Sequence, residues 1–250
     1  MSTAYEDRGE RINVLRSKQH EILELAEKWI YIRVGGVNYR PISIHEANPC
    51  GRLTKADGSG NIIGGTKNIE NAFKNALKSS EANKYSPGNA KLEHRLQAGL
   101  IHYAIKNQFL INGRFNGFED YFDKLIFITD ELKIEDIRAD IIALGSKDGK
   151  YFPVFIELKS VRTYTQVARQ LTNVAYKAKK SEVYFVKMLA RATGIEEHSI
   201  LFDEYKLIAV WPSLDKYYPK KSTKKDNSIL IGKYEKSNPF DSLIKRSTVY

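Results

Sequence analysis

Apolar residues crowd into two short runs near the middle of the chain, Arg138 to Leu144 and Tyr151 to Leu158, both rich in Ile, Val and Phe. Gly145-Ser146-Lys147-Asp148-Gly149-Lys150 lies between them and reads as a hairpin loop, so the runs are expected to be paired antiparallel strands. Side chains alternate between the faces of a strand, which puts Phe155, Glu157 and Lys159 on one side and Val154, Ile156 and Leu158 on the other. Asp140, near the start of the partner strand, falls roughly level with the end of the second strand, where Glu157 sits.

The same patterning predicts the neighbours of this hairpin. Lys124 to Thr129 reads as a strand before it, and Lys206 to Trp211 as a fourth strand ended by Pro212. Ser86-Pro87-Gly88-Asn89 is a helix-start signal, and the helix is expected to run to about Asn107 with Leu92, Leu96, Gly99, Leu100 and Tyr103 on its buried face and Glu93 and Gln97 beside it. Thr163-Tyr164-Thr165-Gln166 fits a capping box that opens another helix. Along that helix Val167, Leu171, Val174 and Ala178 form an apolar stripe, and Gln166, Gln170, Asn173 and Lys177 a polar one. The predicted order is helix, three strands, helix, strand. Outside it, Ile12 to Ile30 reads as an amphipathic helix, Tyr31 to Ile44 as a strand pair turning at Gly35-Gly36, and the segment after Pro212 as an appendage with a basic loop from Lys216 to Lys225.

Chemistry enters at the hairpin. Two carboxylates, Asp140 and Glu157, are expected to converge there with the Lys159 ammonium beside them. Hard divalent cations such as Mg²⁺ bind through one or two carboxylates and take water and phosphate oxygens as remaining ligands. An adjacent ammonium suits phosphate chemistry because it neutralises developing charge or helps to deprotonate water. The alternative is ordinary charge at strand ends. With 40 Lys+Arg against 30 Asp+Glu the chain carries a formal net charge of +10, which favours a polyanionic partner, nucleic acid first. No apolar run approaches the ~20 residues that span a bilayer. Cys50 is the single cysteine, so neither a disulfide framework nor a thiolate zinc site is available, and with no signal-peptide pattern at the start a cytoplasmic setting is expected. His20, His45, His94, His102 and His198 show no metal-ligand spacing, and Gly58 to Gly65 reads as a flexible loop because no Gly-Lys-Ser/Thr closes it into a phosphate-binding loop.

Asp140, sixteen intervening positions and then Glu157-Leu158-Lys159 resemble the PD-(D/E)xK nuclease superfamily, with Ala139 where the pattern has proline. The resemblance covers about residues 86 to 212 and implies an α/β restriction-endonuclease-like core, a mixed central sheet flanked by helices, with elaborations at 1–85 and 213–250 of a single domain. It further implies that Asp140, Glu157, the Leu158 carbonyl and Glu93 hold the metal, Mg²⁺ with Mn²⁺ able to substitute, while Gln166 and Gln170 line the active site with Lys159. From the residues alone the glutamines also fit a solvated helix face, and Glu93 a surface pair with Arg95. The implied activity is hydrolysis of phosphodiester bonds in double-stranded DNA, most closely that of a homodimeric type II restriction endonuclease. A repair, recombination or mobile-element nuclease of the same fold, a DNA-binding module without catalysis and a structural interaction protein are the alternatives. Lys220, Lys221, Lys224 and Lys225 are the expected phosphate contacts of the basic loop.

Overall fold

A two-residue turn at Asp148-Gly149 organises the centre of the fold. Both residues have positive φ, +50° and +77°, as the tightest hairpin turns require, and Asp-Gly is a favoured pair for that geometry. The computed structural model describes residues 3–17, 33–34, 37–38, 52–53, 62–63, 92–135, 137–160, 163–213 and 229–247. In chain order the elements are α1 (Ala4–Ser17), β1 (Arg33–Val34), β2 (Val37–Asn38), β3 (Arg52–Leu53), β4 (Ile62–Ile63), α2 (Leu92–Lys106), β5 (Phe115–Asn116), β6 (Lys124–Ile134), β7 (Ile137–Lys147), β8 (Lys150–Leu158), α3 (Tyr164–Lys180), α4 (Glu182–Thr193), β9 (Lys206–Pro212), β10 (Ile229–Tyr234) and β11 (Ile244–Ser247).

The class is α/β with a mixed central sheet and flanking helices. Among the described residues the sheet runs β4-β3-β6-β7-β8-β9-β10-β11-β5. β6, β7 and β8 pair antiparallel, whereas β9 pairs parallel with both β8 and β10. The parallel step is made through α3 and α4, which supply the crossover that parallel neighbours need. α3 buries Val167, Leu171, Val174, Ala175 and Ala178 and packs on β7, β8 and β9. Pro153 sits in a central strand, where a missing N–H is usually disruptive. Pairing of β8 with β9 begins only at Val154↔Lys206, so Pro153 lies before the ladder that its absent donor would have joined.

Several expectations change. The strands around the central turn are longer than the sequence pattern implied, because Gly145 to Lys147 and Lys150 belong to the ladder and the six-residue loop shrinks to two residues. β6 continues to Ile134. The N-terminal helix begins eight residues before Ile12, at Ala4, and buries Tyr5, Arg8, Gly9 and Ile12. It crosses α4 closely enough that a Cβ on Gly9 would lie 2.5 Å from the Met188 carbonyl oxygen. Ile62–Ile63, expected within a loop, pairs with β3 at one edge of the sheet. The segment beyond Pro212 supplies β10 and β11 to the same sheet. The strand pair around Gly35-Gly36 is present as β1 and β2. Cys50, Ser86 to Asn89 and the basic run with Lys220, Lys221, Lys224 and Lys225 lie outside the described residues. No helix among the described residues is long and apolar enough to cross a membrane.

α2 is held against the sheet by Leu96, Leu100, Ile101 and Ala104, all buried, and by a close approach at Gly99. A Cβ there would sit 1.8 Å from the Phe240 carbonyl oxygen, in the turn between β10 and β11. Gly99→Ala is therefore expected to destabilise the protein by about 1–3 kcal/mol or more, since backbone must move to admit the methyl. A urea unfolding midpoint unchanged from wild type would refute this close contact.

Candidate active site

The seam between β7 and β8 parts at one place. Its ladder ends at Ile141↔Ile156, while β7 stays paired with β6 as far as Ile137 and β8 stays paired with β9 as far as Leu158. The next N–H of β8 that faces the seam belongs to Leu158. It donates to Asp140 Oδ2 at 2.8 Å instead of to a backbone carbonyl. An aspartate side chain thus replaces a strand hydrogen bond, and by strand geometry the Leu158 carbonyl points to the same opened side.

Three charged side chains gather at this opening. Lys159 Nζ donates to Asp140 Oδ2 at 3.1 Å and forms an ion pair with Glu157 Oε1. All three are buried, Glu157 completely at 0 % and Lys159 at 6 % exposed. Glu157 Oε2 accepts no hydrogen bond among the described residues. Burial first, and then the neighbouring Asp140 charge, push the Glu157 carboxyl up to about 8 against the pull of Lys159. For Lys159 burial acts to lower the pKa, but the charges of Asp140 and Glu157 outweigh it and hold the ammonium above its ordinary range. Two carboxyls and one ammonium reach neutrality by keeping one proton on the carboxyl pair.

Glu93 lies close by but does not join the pair. Its Oε2 accepts from both the backbone N–H and the hydroxyl of Ser160, each at 2.8 Å. Gln97, one turn further along α2, donates from Nε2 to the Asp140 carbonyl oxygen at 3.2 Å. Gln166 is exposed at the start of α3, where its Oε1 accepts from the Thr163 N–H at 3.1 Å and from the Thr163 hydroxyl at 3.2 Å. That is the return half of a capping box, and it holds the amide at the helix end. Gln170 donates from Nε2 to the Arg138 carbonyl oxygen at 3.2 Å, which ties α3 to the strand carrying Asp140. Sequence reasoning passed over Ser160 entirely and gave Gln97 no role. The available signal was the four-residue spacing of Glu93 and Gln97, which puts both on one helix face.

Among the described residues no group of three or more His, Cys, Asp or Glu side chains gathers for a metal. Two carboxylates with a donor-free buried oxygen nevertheless suit Mg²⁺, which accepts few protein ligands and keeps water or phosphate for the rest. Glu157 and Asp140 fit that donor set, with the Leu158 carbonyl on the same side. No family model, no curated protein and no solved structure matches this chain.

The Glu157 shift has a direct consequence for stability. Its folded pKa of about 8 lies above the ordinary 4.5, so between these values the native state holds a proton that the unfolded state has released. The contribution is full below 4.5 and is lost as the pH rises through 8, with a slope of up to about 1.4 kcal/mol per pH unit. Lys159 titrates above this window and leaves the slope alone. In chelator-treated protein, unfolding free energy is expected to fall from pH 5 to pH 8, roughly the window that this shift defines, and Glu157→Gln to flatten the fall. Equal pH dependence in wild type and variant would mean that Glu157 is ionised throughout.

Proposed function

We propose that this chain is a metal-dependent DNA endonuclease with a restriction-endonuclease-like core, acting as a homodimer in the manner of a type II restriction enzyme. The observation that carries the reading is the buried meeting of Asp140, Glu157 and Lys159 where the β7–β8 seam parts. A net charge of +10 supports a polyanionic substrate.

In this reading Asp140 and Glu157 hold Mg²⁺, or Mn²⁺ in its place, with the Leu158 carbonyl as a further ligand. The bound ion supplies Lewis-acid charge and a more acidic water. Lys159 serves as an ammonium, the form that the Asp140 and Glu157 charges favour in the metal-free site. Once turned to the scissile phosphate, it offers N–H donors and positive charge to the oxygens that gain charge during attack. Gln170 contributes by anchoring α3 to the Arg138 carbonyl, two residues before Asp140, and Gln166 by fixing the start of α3.

Digestion of long duplex DNA with and without Mg²⁺ tests the activity. Discrete fragments are expected for a restriction enzyme, and a smear would replace that part of the reading with a processing nuclease. Asp140→Ala and Glu157→Ala should each abolish cutting in a folded protein. Lys159→Ala should slow it by ~10²–10³-fold, the loss typical of one positioned electrostatic donor, with DNA binding retained. Salt-sensitive DNA binding without any cleavage would leave a binding module instead.

The hold on DNA is a separate matter. Replacing Lys220, Lys221, Lys224 and Lys225 together by Ala should weaken binding to all sequences alike, and each lost phosphate contact should flatten the slope of log affinity against log salt by about 0.9. Site preference should survive, since phosphate contacts carry no base information. An unchanged slope would assign the phosphate contacts to other lysines and arginines.

A further inference from the structure

Something other than strand pairing must set the distance between Asp140 and Glu157, because the backbone ladder stops at Ile141↔Ile156, one residue short of both. β7 is carried by β6 on one side and β8 by β9 on the other. At the level of the carboxylates the two half-sheets touch across the seam through Asp140 itself, whose Oδ2 accepts from the Leu158 N–H and from Lys159 Nζ. Those contacts use Asp140 Oδ2, and the lysine contact is given up if Lys159 turns to substrate.

A second set of links spans the same seam and leaves both carboxylates free. From α2, Gln97 Nε2 reaches the backbone carbonyl of Asp140 on the β7 side, and Glu93 Oε2 accepts two hydrogen bonds from Ser160 just beyond the end of β8. Glu93 and Gln97 are four residues apart, hence neighbours on one helix face. α2 itself is fixed by its buried apolar side and by the Gly99 contact with Phe240. Ser160 is buried, so its N–H and hydroxyl need acceptors there, and Glu93 supplies a single oxygen for both.

We propose that Glu93 and Gln97 are positioning residues that clamp the parted ends of β7 and β8 and so set the spacing of Asp140 and Glu157 for a divalent cation. This rests on the metal-dependent reading above. In the clamp Glu93 acts as an acceptor for Ser160, not as a metal ligand. Its charge is dispensable, but its oxygen is not.

That distinction makes the proposal testable without any cleavage assay. The affinity of the full-length protein for Mg²⁺ alone is measured by isothermal titration calorimetry, with circular dichroism to confirm folding of each variant. Gln97→Leu and Glu93→Ala are expected to weaken binding by about 10–100-fold, the usual loss when a partner that orients metal ligands is removed. Glu93→Gln keeps a carbonyl oxygen that accepts from Ser160, and it is expected to stay within a few-fold of wild type. Equal damage from Glu93→Gln and Glu93→Ala would make Glu93 a ligand through its charge and overturn the clamp, as would unchanged affinity in Gln97→Leu. Should Gln97→Leu fail to fold, Ser160→Ala serves instead, with weakened binding supporting the clamp and wild-type affinity overturning it. Asp140→Asn separates the two levels of inference. If it binds Mg²⁺ as wild type does, the metal reading itself falls, and the clamp with it; if it loses binding while the α2 variants keep it, only the clamp fails.

Discussion

Burying Asp140, Glu157 and Lys159 together at the parted end of the β7–β8 seam is the constraint on which the rest of the site depends. An isolated charge in such a place would be several kcal/mol unfavourable, and removing one partner of a buried pair leaves that cost uncompensated. The protein meets it with an excess of acid over base: two carboxyls share one ammonium and, below a pH of about 8, a retained proton. A fully apolar strand end would have been easier to bury. The arrangement makes sense where a further cation is to be received.

The position of the opening follows from the hydrogen bonding on either side. β6 and β9 continue to hold β7 and β8 after their mutual ladder has ended, so the gap is a parting of two rigid half-sheets and not a frayed end. Side chains on strands are more precisely held than side chains on loops. Asp140 and Glu157 inherit that rigidity from opposite halves, and the relation between the halves then matters as much as either one. α2 is docked across the seam by Glu93 and Gln97, which hydrogen-bond to both sides at that level.

Much of this was legible in the sequence, for identifiable reasons. Period-two alternation is strict, so the shared face of Glu157 and Lys159 follows from the strand pattern, whereas the exact level of Asp140 depends on the two-residue Asp148-Gly149 turn that the six-residue loop reading lacks. The capping box at Thr163 is equally readable, while the family resemblance implies a place for the same Gln166 in the active site. In the structure Gln166 Oε1 is bonded to Thr163. The parting of the seam had no local signal, because it is a disagreement between neighbouring ladders that only the assembled sheet reveals. β10 and β11 were missed for a related reason: Ile229 to Tyr234 is short, and its parallel pairing with β9 is a long-range contact. In α1 the buried face includes Arg8 among Tyr5, Gly9 and Ile12, a mixture that apolar periodicity does not flag.

Charge balance links the lysine to its proposed task. With both carboxylates ionised, Lys159 leaves one negative charge uncompensated, and its departure toward a phosphate would leave two in a buried site. That departure is unfavourable unless another cation takes over the oxygens. A monovalent ion would restore only the original deficit, whereas a divalent ion balances both carboxylates and releases the ammonium at no electrostatic loss. If the site takes Mg²⁺ as proposed, binding must expel the Glu157 proton, and the affinity is then expected to strengthen as the pH rises toward 8. Under the proposed function, the same charge count that stabilises the metal-free site with a lysine would favour a dication as its replacement and free the lysine for substrate once that replacement had occurred.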